Sequence, residues 1–497
     1  MRADYVAFAD NFLYNPVVDT LTKFYGGVRL NTGLAPKNAL QLSPRVGFNW
    51  DVYDDQTFQV RGGTGLFQGP PPFVWISNQA SNTGMALFGS ITNGTGYMFS
   101  PDINKYRPTP TPGLSKSYSL NVTDPNYKYP QVWKSTLAVD KKILGWTVTA
   151  EGTYIKNINA TVFQNVVLPS TGNITLANGQ TRFIKRSVYD ATGTAQTATN
   201  PNIGNAIYMT NANIGYVLFG TLQVQRQFKN LAVNASYTRQ TAKDATINGS
   251  TAFTMWGARP TATDPNNFEE GYSNNYLPHR IVGSLVYGKE FFKNTKTSFG
   301  LLYEGSPNPL QSSLSYTYAG DLNNDGFSGN ELMFVPANAS QIKLTNASAV
   351  SGVADTRTQS ELWNQLDAFI SGNEYLNSRR GQFAERQGLV LPWVNRADLN
   401  ITQDFYIKYK STKHTLRVTM DLFNFTNFVN KDWGVNKVPT TMTPLSFVRL
   451  DTDGKTPIFS FPYLDGKNKV PYTDSFRDNV GFSSRWQMQL GVRYIFN

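Results

Sequence analysis

From Arg485 to Phe496 the chain alternates two chemistries. Trp486, Met488, Leu490, Val492, Tyr494 and Phe496 share one parity, Arg485, Gln487, Gln489, Gly491 and Arg493 the other, and only Ile495 is out of step. Successive side chains of a β-strand point to opposite faces, so a period of two predicts a strand. A wall with lipid on one side and water on the other accounts for both faces, the apolar one pointing outward into hydrocarbon.

A membrane-spanning strand signals weakly on its own, so repetition carries the case. Ala397, Leu399, Ile401, Phe405, Ile407 and Tyr409 oppose Asp398, Asn400, Thr402, Asp404 and Lys408, with Gln403 breaking the apolar side. Leu416, Val418, Met420 and Leu422 oppose Thr415, Arg417, Thr419 and Asp421. Upstream, Val46, Phe48, Trp50 and Val52 alternate with Arg45, Gly47, Asn49 and Asp51, and Trp133, Ser135, Leu137 and Val139 with Lys134, Thr136, Ala138 and Asp140. Counting such segments predicts about 13 strands, joined alternately by tight turns and very long connections. The turns fall at Asp54-Asp55, Lys141-Lys142, Lys229-Asn230, Lys293-Asn294 and Ser411-Thr412; the long connections fall near 67–130, 158–212, 242–277, 320–394 and 426–484. That asymmetry is expected of outer-membrane barrels, whose long loops lie outside the cell. The fold class is therefore all-β: a transmembrane antiparallel barrel with long extracellular loops, occupying 1–497 as a single domain.

Composition closes off alternatives. A mean hydropathy of −0.36 and the lack of any apolar run near the roughly 20 residues a spanning helix needs exclude a transmembrane helix. Aromatic residues at 13% suit interfacial girdles. With no Cys there are no disulfides, thiol nucleophiles or cysteine metal sites. The net charge of +11 is scattered, without a basic run, which argues against nucleic acid and leaves anionic headgroups or solutes as partners. Met1 to Asp10 lacks the apolar stretch of a signal peptide, so the signal of an exported chain was removed or the chain continues a longer polypeptide.

A family resemblance rests on Ser43-Pro-Arg-Val-Gly-Phe-Asn-Trp-Asp51 followed by Val60-Arg-Gly-Gly-Thr-Gly-Leu-Phe67. It continues through Pro130-Gln-Val-Trp133, Ala138-Val-Asp-Lys141, Leu277-Pro-His-Arg280, Gly320-Asp-Leu-Asn-Asn-Asp-Gly326, Leu422-Phe-Asn-Phe425 and Arg493-Tyr-Ile-Phe496. In this order, nearly end to end, they resemble TonB-dependent outer-membrane receptors, more narrowly the Oar-like and SusC-like ones. The resemblance implies transport of a polar solute, oligomer or polypeptide, driven from the inner membrane, through a barrel of roughly 22 strands closed by a plug. Neither the plug nor the TonB-contacting segment is recognisable, so the chain resembles the C-terminal part of the barrel. The implied partners are the TonB complex through that plug, a SusD-like surface lipoprotein, outer-membrane lipid and the barrel assembly machinery. The last of these reads a terminal aromatic strand, here Trp486, Met488, Leu490, Val492, Tyr494 and Phe496, although Asn497 follows it.

Local chemistry is sparse. Asp321, Asn323 and Asp325 with Gly326 match positions 1, 3, 5 and 6 of an EF-hand-type calcium loop; Phe327 stands at position 7, and Glu331 falls one residue before the usual closing carboxylate. Calcium in a structural role is one reading, an Asx-rich turn the other. Thr358-Gln-Ser-Glu361 has capping-box form ahead of Leu362, Leu366, Phe369 and Ile370 at helical spacing, predicting a short loop helix that fills space in its own loop or docks a lipoprotein. Pro70-Pro-Pro-Phe73 and Pro108-Thr-Pro-Thr-Pro112 read as stiff extended segments. The expected lumen-facing charges are Arg45, Asp51, Arg61, Lys134, Asp140, Asp398, Asp404, Arg417, Asp421, Arg485 and Arg493; they line a polar path, grip a plug, or form ladders that hold the wall. His279 and His414 have no partner at metal or triad spacing, and no catalytic residue stands out, so no enzyme is expected. Two other classes remain as alternatives: a passive porin or structural subunit, and a secreted soluble β-protein binding polysaccharide.

Overall fold

The alternating segments form strands whose order in space is their order along the chain. In the computed structural model, residues 1–497 are described except 9–11, 22–23, 71–72, 86–97, 107–116, 185–201, 247–248, 250, 310 and 497. Eleven long strands build one antiparallel meander: β1 (Arg45–Asp51), β2 (Phe58–Gln68), β3 (Gln131–Ile143), β4 (Trp146–Ile158), β5 (Tyr216–Gln227), β6 (Leu231–Asp244), β7 (His279–Lys289), β8 (Thr295–Pro307), β9 (Trp393–Tyr409), β10 (Thr412–Phe423) and β11 (Gln487–Phe496). Gly271–Tyr272 pairs with β6, making a 12-stranded sheet, against the count of about 13 read from alternation. Among the described residues β1 and β11 end the path, each with one edge unpaired. Arg2–Val6 pairs with Ala39–Ser43, just before β1.

One end of the sheet carries short turns, at 52–57, 144–145, 228–230, 290–294 and 410–411; the other carries 69–130, 159–215, 245–278, 308–392 and 424–486. Two turns are displaced from their expected places. Lys141 and Lys142 lie inside β3, and the chain reverses at Leu144-Gly145, both with positive φ (51° and 81°), as a two-residue type I′ hairpin requires. Likewise Thr412 opens β10, and the tip is Lys410-Ser411.

The dry parts of the molecule are not on the sheet. Three apolar cores fill the connections: one around Tyr316, Met333, Leu366 and Phe461, one around Phe163, Met209 and Trp256, one around Val18, Leu120 and Ile203. On the wall the apolar side chains stay uncovered: Val46 is 69% exposed, Leu490 67% and Val492 72%. Burying such side chains is worth roughly 1.5–3 kcal/mol each, so a sheet that leaves them bare in water would forgo its main source of stability. This pattern excludes the soluble polysaccharide-binding alternative. Ala397 and Leu422, expected to face lipid, are instead buried, at the level where the helix Phe425–Val429 packs against β9.

Glycines in β2 let the first hairpin close. A Cβ on Gly65 would sit 2.6 Å from the Pro44 carbonyl oxygen and 2.9 Å from Arg45 Cα, both backbone atoms that cannot turn aside. Gly65→Val is therefore expected to cut the outer-membrane level of the protein severalfold, measured by immunoblot of membrane fractions, with unchanged levels contradicting the packing.

The predicted helix spans Gln359–Ser371. Both halves of its capping box are formed, and Leu362, Leu366, Phe369 and Ile370 are buried in the largest core. Its apolar face is consumed within its own layer and is not open for docking. Pro71 and Pro72, like the 108–112 segment, lie outside the described residues, and Phe73 opens a helix, Phe73–Ser81, not an extended run.

Candidate functional site

Directly opposed residues of an antiparallel pair point to the same side of the sheet. Register therefore assigns faces. Arg45 opposes Gly65, which opposes Lys134; Asp51 opposes Gln59, which opposes Asp140; Asn49 opposes Arg61. At the other end Asp404 opposes Arg417, which opposes Arg493, and Asn400 opposes Asp421. Continuing strand by strand, ten of the eleven expected lumen charges fall on one face. The exception is Arg485, which precedes β11 and donates from Nε to the Val480 carbonyl at 3.1 Å. Its parity continues the strand pattern past the point where the strand begins. Trp486 also precedes β11, packed edge-on against Phe428 at 5.1 Å.

Most of these charges are tied to one another. Arg61 donates to Asp140 at 2.9 Å and to Glu151 at 3.2 Å, and Thr149 donates to Asp140 at 2.5 Å. Arg417 grips Asp404 with two bonds, 2.7 and 2.8 Å. Asn400 donates to Asp421 at 2.6 Å, and Asp398 accepts from Arg396 at 3.1 Å and from the Asn424 backbone at 2.6 Å. Asp51 accepts from the backbone of Gln56 in its own turn, and Arg45 lies 4.2 Å over the Phe67 ring. Ion pairs on a solvated face contribute about 0.2–1 kcal/mol each, so these ladders fix register more than they stabilise. Among the described residues Lys134 and Arg493 have no ion-pair partner, and Arg493 stands opposite a like charge on the end strand. Glu151, Arg280, Glu304 and Arg396, beyond the charges expected from the alternating pattern, share the polar face; Arg280 pairs with Glu304 at 2.7 Å. Each stands out as a charge in an alternating strand, the signal that would have found them.

The two histidines sit on the opposite, apolar face. His279 Nδ1 meets the Tyr237 hydroxyl at 2.7 Å, and His414 meets that of Tyr494. Such Tyr–His pairs suit a membrane interface, where an aromatic body and a polar tip find different surroundings.

Above the wall, the connections form a half-open cavity of about 710 Å³ lined by Asn178, Phe334, Gln341, Lys343 and Phe459. Beside the same core lies the 321–331 loop. Asp321 accepts from the backbone of Asp325 and Gly326, both at 3.0 Å, and Asp325 accepts from the Phe327 backbone at 2.7 Å. Asn323 links two carboxylates: its backbone donates to Glu331 at 2.9 Å and its amide to Asp325 at 3.0 Å. Burial pushes Asp325 up to about 6 and Glu331 up to about 8. Among the described residues no group of three or more His, Asp or Glu side chains is placed to hold a metal ion, so a cation here would rest on fewer carboxylates and on neutral oxygens. Arg182, from another connection, donates to the Asp321 and Leu322 carbonyls, a contact no sequence spacing announces.

A family model described as an outer membrane beta barrel domain matches residues 6–444. Among solved structures, the chain is similar to a mutant of the ferric enterobactin receptor PfeA from Pseudomonas aeruginosa, at 6% identity over 92% of this chain and 40% of that one, TM-score 0.36. The siderophore receptor PirA from Acinetobacter baumannii matches at 10% identity over 78% and 37%, TM-score 0.34. The outer membrane transporter YddB from Escherichia coli matches at 9% identity over 92% and 41%, TM-score 0.38. The chain thus spans about 40% of the length of the first of these structures. No curated protein matches it.

Proposed function

The chain belongs to the outer membrane β-barrel domain family, and from that premise we propose that it supplies wall and outer loops of a TonB-dependent receptor of the Oar-like or SusC-like kind. It resides in the outer membrane of a Gram-negative bacterium. The cargo class we assign is a polar solute, oligomer or polypeptide, moved with energy from the inner membrane, with no enzymatic step. The observation that carries this reading is a wall polar along its inner face whose end strands, β1 and β11, each keep an unpaired edge among the described residues. Hydrocarbon does not tolerate an unpaired strand edge. A barrel of roughly 22 strands in which these form the C-terminal portion satisfies both edges, and the ordered motifs from Ser43 to Phe496 support the same placement. TonB would engage a plug carried elsewhere in the receptor. A SusD-like lipoprotein would have to dock on loops other than the helix Gln359–Ser371, whose apolar face is occupied.

Cross-linking cells and recovering the native protein tests the energy coupling. TonB is expected among the cross-linked partners. A passive porin or structural subunit would leave it out.

A further inference from the structure

We propose that the loop from Asp321 to Glu331 is a structural calcium site, with Asp325 and Glu331 supplying the charged oxygens and Asn323, Asn330 and the Phe327 carbonyl the neutral ones. Two independent observations meet here. The first is the order of oxygen donors Asn323 and Asp325 at positions 3 and 5 of the loop, with Asp321 at position 1 bracing the turn and Gly326 at φ 90° making the bend that calcium loops place at position 6. The second lies outside that motif. Glu331 is 1% exposed, and among the described residues its Oε2 meets no hydrogen-bond donor; the Oδ1 of neighbouring Asn330, equally buried, meets none among them either.

Charge balance points the same way. Asp325 and Glu331 carry two carboxylates into a buried region beside the half-buried Asp321, and the cation at hand, Arg182, attracts Asp321 and Glu331 only through space, spending its hydrogen bonds on the Asp321 and Leu322 carbonyls. An uncompensated buried carboxylate is costly, and it resolves that cost by taking a proton or a cation. Calcium fits better than magnesium because it accepts six to eight oxygens in irregular geometry, whereas magnesium holds to an octahedron and keeps water. Asp325 now receives the Asn323 and Asn330 amide groups at 3.0 and 2.9 Å. A bound ion would take those lone pairs, with the Asn330 amide turning its oxygen inward.

The loop joins three connections. Phe183 donates from its backbone to Asn323 at 2.8 Å, Asn324 donates to the Phe183 carbonyl at 3.1 Å, and Thr261 donates to the Asn330 carbonyl at 2.8 Å. The Phe327 ring packs against Phe253 at 5.5 Å and over Gly257, where a Cβ would stand 2.1 Å from it. Calcium would therefore rivet the outer layer and leave the wall unaffected.

The test uses native protein isolated from outer membranes, stripped with chelator and titrated with Ca²⁺ alone, with Mg²⁺ in parallel. One Ca²⁺ is expected to bind with a Kd of about 10⁻³ M or tighter, raising the melting temperature of the loop layer while Mg²⁺ does not. Glu331→Gln and Asp325→Asn are each expected to weaken binding at least ~10-fold. In chelator Glu331→Gln should melt no lower than the unmodified protein, because the buried carboxylate it replaces keeps one oxygen, Oε2, without a donor among the described residues. Melting that is identical in Ca²⁺ and chelator, or calcium binding untouched by either variant, would overturn the proposal. The site is independent of the transport reading, so either can fail alone.

Discussion

Deleting residues 494–497 is expected to reduce the outer-membrane level of the protein to background. Among the described residues β11 has one neighbour, β10, and the deleted stretch supplies the register pairs Tyr494 with Leu416 and Phe496 with His414. It also removes two aromatic side chains, 59% and 68% exposed on the lipid face, and the hydroxyl that meets His414. On the proposal that barrel assembly machinery reads this aromatic strand, recognition is lost together with edge pairing. Asn497 lies outside the described residues, and a variant lacking it alone should assemble normally. Immunoblots of fractionated membranes, with heat-modifiability to report folding, measure the outcome. Undiminished surface levels after the four-residue deletion would remove the assembly role from this strand.

Placing arginine on the lipid face is the second change with a large expected effect. Val418 opposes Val492 and Leu490 opposes Met420, all on the outward face. Arginine near the bilayer midplane of a barrel wall costs about 2–4 kcal/mol, enough to shift a folding equilibrium by one to three powers of ten. Val418→Arg and Leu490→Arg should each lower the stability of the membrane-inserted protein by that amount in denaturant titrations. Thr419→Arg, one residue away and facing the lumen, should cost far less. Equal losses at positions 418 and 419 would contradict the assignment of faces.

Much of the wall was legible because hydrocarbon on one side imposes a strict period of two. Val46 through Asp51, Leu416 through Asp421 and Gln487 through Phe496 carry that period without needing any long-range knowledge. The misses have physical causes. Leu144 occupies a hairpin tip with φ 51°, and an apolar residue there reads as strand while the lysines before it read as turn. Arg485 keeps the parity of β11 without belonging to it. Ala397 and Leu422 are buried at the level where a short helix from the next connection packs against β9, a contact that alternation cannot express. The three cores of the outer layer were invisible for a different reason. Their strands are two to seven residues long apart from Asn202–Ala212, too short for periodicity, and Tyr316, Phe163 and Val18 reach their neighbours across distant parts of the chain. At the 321–331 loop the donors were readable from spacing, but the burial of Glu331 and the approach of Arg182 were not.

The central claim is that every second residue of the sheet meets hydrocarbon while the residues between them meet water. The chain contains no cysteine, so single cysteines can be introduced from 415 to 422 without background and spin-labelled in the native membrane. Accessibility to oxygen should peak at 416, 418 and 420, and accessibility to a water-soluble nickel reagent at 415, 417, 419 and 421, the two profiles alternating out of phase. Profiles that rise and fall together, or low accessibility to both reagents at 416, 418 and 420, would show those side chains packed in a dry interior and contradict the account.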